Sequence, residues 1–157
     1  MTDRVERHLP DPSATEVLGG ALASLARPGD VIALWGDLGT GKTVLARAFI
    51  RALTNAHEEV PSPTFTLVQT YDAPQGTIHH FDAYRLETPQ EAFELGIEDA
   101  FCDGISLIEW PGRLGSLLPF ARLDIELIHG QEAQSRCAIL SGPPEWLQRL
   151  KEADVVC

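Results

Sequence analysis

Gly36-Asp37-Leu38-Gly39-Thr40-Gly41-Lys42-Thr43 sets glycines, an ammonium and a hydroxyl side by side. Glycine lets a backbone curl until successive N–H groups point inward, and a following helix adds the positive end of its dipole. Such a segment is built to cradle phosphate. In the spacing Gly-x-x-x-x-Gly-Lys-Thr, the lysine reaches the β- and γ-phosphates of a nucleotide and the threonine hydroxyl ligates magnesium. The stretch therefore matches a P-loop. Of the 12 basic residues only Lys42 and Lys151 are lysines, so chemistry that needs an ammonium has two candidates, and one stands at the motif position.

A P-loop also needs an acidic side chain to hold the metal, normally at the end of a neighbouring apolar strand. Asp82 closes the run Thr77 to Asp82, and Glu109 closes Gly104 to Glu109. Glu109 has the better context, because its apolar neighbours mark a central strand whose C-terminal end faces the loop. Asp82 ends a hairpin, where a solvated Asp on a sheet edge is the competing reading. Ser62-Pro63-Thr64-Phe65 lies where P-loop switch proteins place a γ-phosphate-sensing loop, and it reads equally as a connecting turn. His79 and His80 point to opposite faces of a strand and cannot form a bidentate metal site; one inside and one outside is the expectation. Trp110 is suited both to stacking on a ligand and to packing in the core.

The elements that must position these groups follow from apolar spacing. Val31-Ile32-Ala33-Leu34-Trp35 is a buried strand running straight into the glycine loop, and Val44, Leu45, Ala48, Phe49, Ala52 and Leu53 recur at helical spacing after it. A helix is expected over 14–26, opened by a Ser13/Glu16 capping box. Phe65 to Tyr71 and Thr77 to Asp82 read as a hairpin, Thr88 to Glu98 as a helix and Gly104 to Trp110 as a strand stopped by Pro111. Leu123 to His129 and Ser135 to Leu140 form a second hairpin, followed by a closing helix from Glu145 to Glu152. The fold class is α/β: a P-loop NTPase domain over residues 1–157, with a mostly parallel central sheet flanked by helices and carrying antiparallel hairpins.

Composition narrows the roles open to this site. The chain has 157 residues, a length suited to one domain, and 44% apolar residues, which argues against global disorder. No run reaches the roughly 18 uninterrupted apolar residues of a spanning helix, and the N-terminus is polar, so a soluble cytoplasmic protein is expected. With 23 acidic residues and a net charge of -11, autonomous nucleic-acid binding is disfavoured, since a phosphate backbone demands clustered cations. Cys102, Cys137 and Cys157 lack metal or redox spacing and read as incidental or buried thiols. The acidic run Glu87, Glu91, Glu94, Glu98, Asp99 and Asp103 admits a solvated helix face or a docking surface for a basic partner.

Taken with His80-Phe81-Asp82-Ala83-Tyr84-Arg85-Leu86, Glu94-Leu95-Gly96 and Ile108-Glu109-Trp110-Pro111, the glycine loop and Ser62-Pro63-Thr64-Phe65 occur in the order and spacing of one family. The chain resembles the TsaE (YjeE) family, bacterial ATPases needed for making threonylcarbamoyladenosine in tRNA. The resemblance implies a small ATPase using ATP and Mg2+ that works with TsaB and TsaD and meets tRNA only through that complex. It implies that Lys42 and the loop backbone (Asp37, Leu38, Gly39, Thr40, Gly41) bind phosphates and that Thr43 and Glu109 hold magnesium. It further implies that Asp82 supports hydrolysis, Thr64 lies on a switch-like loop that can reach the metal, Thr15 lies near the adenine and Arg136 approaches the nucleotide.

Two other classes compete. A small-molecule or nucleotide kinase usually carries an arginine-bearing lid, and the arginines here are scattered with none obvious beside the loop. A GTP switch reads guanine with an Asn/Thr-Lys-x-Asp motif, which neither lysine supports. Slow intrinsic ATP turnover, stimulated by a partner, is the expectation.

Overall fold

In the computed structural model, which describes residues 4–63 and 66–153, the elements run in the following order. They are β1 (Arg4–Leu9), α1 (Pro12–Leu25), β2 (Val31–Trp35), α2 (Lys42–Leu53), β3 (Val68–Ala73), β4 (Gly76–Asp82), α3 (Pro89–Glu94), α4 (Ile97–Asp103), β5 (Ile105–Glu109), β6 (Leu123–His129), β7 (Arg136–Ser141) and α5 (Pro144–Glu152), with a 3-10 segment at Pro111–Leu117. The strands form one sheet in the order β1-β7-β6-β2-β5-β4-β3. The four central strands, β6, β2, β5 and β4, pair in parallel; the pairs β6–β7, β7–β1 and β4–β3 are antiparallel. β2 thus delivers the glycine loop to the middle of the parallel ends, flanked by β5 on one side and β6 on the other. That is where open α/β sheets bind ligands.

Side-chain alternation divides the core into two layers. Ile32 and Leu34 of β2, Ile105 and Leu107 of β5 and Ile78 of β4 pack with Leu18 and Leu22 of α1, Leu45 and Phe49 of α2 and Leu147 and Leu150 of α5. Val31, Ile108 and Phe81 face the other way, onto Ala92 of α3, Ile97 and Ala100 of α4 and Leu114. The α1–α2 contact is tight at Gly19, where an added Cβ would come within 2.7 Å of the Leu45 carbonyl oxygen. α5 is tethered by Arg149, which donates to Asp30 Oδ2 at 2.7 Å and lies over the Trp146 ring.

Several expectations needed correction. The first helix is capped by Asp11, whose carboxylate accepts from Ala14 N at 2.9 Å, with Pro12 in its first turn; the Ser13/Glu16 box is not used. The expected helix over 88–98 is two helices, because Gly96 takes a left-handed conformation (φ 79°) between α3 and α4. β4 lies inside the sheet, covered by β3, so Asp82 does not end an edge strand; it is buried. The strand β1 was not foreseen. Its residues alternate between exposed and half-buried up to the buried Leu9, and all six pair with β7. Cys102 is exposed and Cys137 half-buried, while Cys157 lies outside the described residues. No helix is long and apolar enough to cross a membrane among the described residues.

Candidate phosphate-binding and catalytic site

The glycines of the loop are there for steric reasons. At Gly36 (φ 142°) a Cβ would come within 2.6 Å of the Leu127 carbonyl and 2.7 Å of Thr40 Oγ1, and Gly41 opens α2 from a left-handed conformation (φ 103°). Thr40 is buried and donates its hydroxyl to the Asp37 carbonyl at 2.9 Å, which pins the loop, whereas Leu38 and Gly39 stand exposed at its tip. The Lys42 ammonium donates to the carbonyls of Gly36 and, at 3.2 Å, Asp37, and lies 3.7 Å from the centre of the Trp110 ring. Burial lowers its pKa below the ordinary lysine value, against the opposing pull of Glu109, Asp82 and Asp37.

Strand parity brings the two candidate carboxylates to this lysine. Glu109 shares its face of β5 with Ile105 and Leu107, and Asp82 shares its face of β4 with Ile78, so both point into the layer that contains α2. Parallel pairing sets them side by side, with Asp82 opposite Glu109. Glu109 is 3% exposed. Its Oε1 accepts the Thr43 hydroxyl at 3.0 Å across 66 positions of sequence. Its Oε2 lies 2.7 Å from His80 Nε2, and His80 is wholly buried. Asp82 Oδ1 accepts from the Tyr84 backbone N–H at 2.9 Å, which fixes its rotamer at the strand end.

Trp110 closes one side. Its backbone is left-handed (φ 58°, ψ 50°), a costly conformation for a bulky residue, and the turn throws the indole over Lys42 and against Tyr84, with ring centres 5.0 Å apart. An open cavity of about 370 Å³ lies among Gly41, Lys42, Thr43, Ser62, Asp82 and Glu109. A second cleft, of about 670 Å³, adjoins the loop on the β6 side, between His129, Glu126 and Arg113.

The structure therefore brings Lys42, Thr43, Asp82, Glu109 and Trp110 to one place. Thr15 is buried in α1, with its methyl group 3.8 Å from where a Cβ on Gly41 would stand. Arg136 of β7 donates to the Gly39 carbonyl at 3.0 Å, so the arginine that the resemblance brings towards the nucleotide stands beside the loop, although spacing along the sequence showed none there. Thr64 and Phe65 lie outside the described residues, and Ser62 lines the cavity. His80 is the site residue that sequence reasoning passed over. The signal was its position two residues before Asp82, which places it on the same face of the same strand.

A hydroxyl and a carboxylate held 3.0 Å apart at the N-terminus of α2 form an all-oxygen donor pair, suited to a hard divalent cation whose other ligands are water and phosphate. No cluster of three or more His, Cys, Asp or Glu side chains placed to hold a metal occurs among the described residues. Magnesium fits such a site, because it is commonly bound through one or two carboxylates plus substrate phosphates.

Comparison with known proteins agrees with this geometry. Residues 9–138 match the family described as threonylcarbamoyl adenosine biosynthesis protein TsaE. The tRNA threonylcarbamoyladenosine biosynthesis protein TsaE of Rickettsia bellii is 40% identical over 113 residues, covering 72% of this chain and 78% of that protein. Its counterpart of the same name in Bacillus subtilis is 37% identical over 116 residues, covering 73% and 72%. The crystal structure of Bacillus subtilis YdiB has the same fold, with a TM-score of 0.78 at 25% identity over 98% of this chain and 96% of that one. The glycine loop on a central parallel strand, the two carboxylates that close the next two strands on one side of it and a family match over most of the sequence lead to one conclusion: the chain belongs to the TsaE family.

Proposed function

We propose that this protein binds and hydrolyses ATP, with Mg2+, in the pathway that makes threonylcarbamoyladenosine in tRNA, acting with TsaB and TsaD in the cytoplasm. The observation that carries the ATPase reading is the Thr43–Glu109 hydrogen bond, which joins the last residue of the glycine loop to the carboxylate that closes β5. The pathway is supported by the family and by the names of the relatives. The net charge of -11 favours a chain that handles ATP while another protein holds the tRNA.

The residues divide the work as follows. Backbone N–H groups of the loop and the start of α2 take the phosphates. Lys42 exchanges its present acceptors, the carbonyls of Gly36 and Asp37, for phosphate oxygens, and must slide out from under Trp110 to do so. Thr43 and Glu109 would hold the magnesium ion, which when bound offsets charge that builds up on the phosphates. Asp82 would orient or deprotonate the attacking water, a role supported by its position opposite Glu109 at the end of β4. Arg136, on the outer rim of the loop, is tied to the Gly39 carbonyl, which leaves room for a partner to reposition it and raise a slow intrinsic rate.

Turnover measured with ATP, first alone, then with nucleosides and small metabolites, then with TsaB and TsaD, tests this reading. Phosphate release from ATP that rises with the partner proteins is expected, with no phosphorylated small molecule formed. A phosphorylated metabolite would establish a kinase instead, and binding of GTP about tenfold tighter than ATP would overturn the adenine assignment.

A further inference from the structure

We propose that His80 is a positioning residue for the metal site: its Nε2–H holds Glu109 by Oε2 and so presents Oε1 to the divalent cation and to Thr43. The proposal rests on the nucleotide-and-metal reading of the site above. Its geometry is a relay of three side chains from three elements. His80 on β4 meets Glu109 Oε2 at 2.7 Å, and Glu109 Oε1 meets the Thr43 hydroxyl of α2 at 3.0 Å. Each carboxylate oxygen thus has its own partner, and the carboxylate plane is fixed from both ends.

The direction of the histidine bond follows from the chemistry of the acceptor. An ionised carboxylate only accepts, so the hydrogen is on Nε2. The other ring nitrogen, Nδ1, is buried and has no hydrogen-bond partner. A buried N–H without an acceptor costs about 1–3 kcal/mol, which favours the hydrogen on Nε2, where it has an acceptor, over Nδ1, where it has none. The ring is also enclosed. It has no exposed surface, and its strand is paired on both sides, with His80 opposite Leu107 of β5 and Gln69 of β3. Hydrogen-bond partners of this kind orient ligating groups at metal sites, and losing one typically weakens metal binding by about 10- to 100-fold.

A histidine that merely fills the core would behave differently. Its replacement would alter stability and leave metal binding alone. The test uses the full chain with ADP and Mn2+, free Mn2+ being followed by its electron paramagnetic resonance signal, for the native protein and variants at His80 and Glu109. His80→Leu is expected to weaken Mn2+ binding by about tenfold or more while ADP affinity in a chelator stays within about twofold of native. His80→Gln, whose amide nitrogen reaches the place of Nε2, is expected to restore most of the affinity, and His80→Asn, whose amide stops near the place of Nδ1, is not. In a Glu109→Ala background, His80→Leu should have no further effect on Mn2+ binding, because its influence passes through that carboxylate. Native-like Mn2+ affinity in folded His80→Leu, or equal affinities for the Gln and Asn variants, overturns the proposal. The Gln–Asn comparison decides the matter if the Leu variant does not fold. Failure of the native protein to bind Mn2+ with ADP would instead remove the metal reading itself, and the proposal with it.

Discussion

Lys42→Ala is expected to abolish measurable ATP binding, a loss of about a hundredfold or more in affinity, because it removes the one ammonium placed to meet the β- and γ-phosphates. The effect should be confined to the site. Among the described residues Lys42 is hydrogen-bonded only to loop carbonyls and is stacked under Trp110, and burial lowers its pKa. Truncation therefore removes a desolvated cation without opening the apolar core, and thermal unfolding should change little. Titration with a fluorescent ATP analogue checks the binding, and unfolding monitored by circular dichroism checks the fold. Undiminished binding by a folded Lys42→Ala protein would show that phosphate is held elsewhere, for instance by the scattered arginines.

Glu109→Ala and Asp82→Ala are expected to bind ATP and to lose turnover, each by about a hundredfold or more, the usual effect of removing a group that acts on developing charge. The two should differ in their dependence on metal. Glu109 is bonded to Thr43, so its loss should raise the Mg2+ concentration needed for half-maximal rate, whereas Asp82 touches the Tyr84 backbone and should leave that concentration unchanged. Steady-state phosphate release across a Mg2+ series separates them. Near-native hydrolysis by Glu109→Ala would take it out of the metal site, and a metal-dependent defect in Asp82→Ala would exchange the two roles.

What could be read from the sequence was what depends on local pattern. A buried apolar run ending in a glycine loop has few other meanings, and β2, the loop and α2 stand where the residues said. Glu109 was legible for the same reason, an apolar run with a carboxylate at its end. The misses share a cause in long-range pairing. Arg4-Val5-Glu6-Arg7-His8 carries charges on most positions and has no apolar run, and it becomes a strand because β7 supplies the hydrogen bonds. Asp82 was weighed as an edge residue because nothing in a hairpin tells which strand the rest of the sheet will cover. The Trp110–Lys42 contact depends on a left-handed tryptophan, and the Arg136–Gly39 bond joins positions 97 apart; neither leaves a trace in spacing. His80 was within reach. Once Asp82 and Glu109 are assigned to adjacent strands, the parity of β4 puts His80 on their side of the sheet.

The acidic run is carried by two short helices. Glu87 to Asp103 spans α3 and α4, on the face of the sheet opposite α2, where Phe93 and Leu95 are also exposed. These elements follow the strand that carries Asp82 and lie across the sheet from the side to which Asp82 and Glu109 point.

The central claim is that ATP handled at this loop is required to make threonylcarbamoyladenosine. Depleting the protein in its own cells and quantifying threonylcarbamoyladenosine in total tRNA by mass spectrometry tests it most directly, with native protein and Lys42→Ala supplied in turn. The modification should fall on depletion, return with the native protein and stay low with Lys42→Ala. Modification that is unchanged by depletion, or fully restored by Lys42→Ala, would contradict the claim.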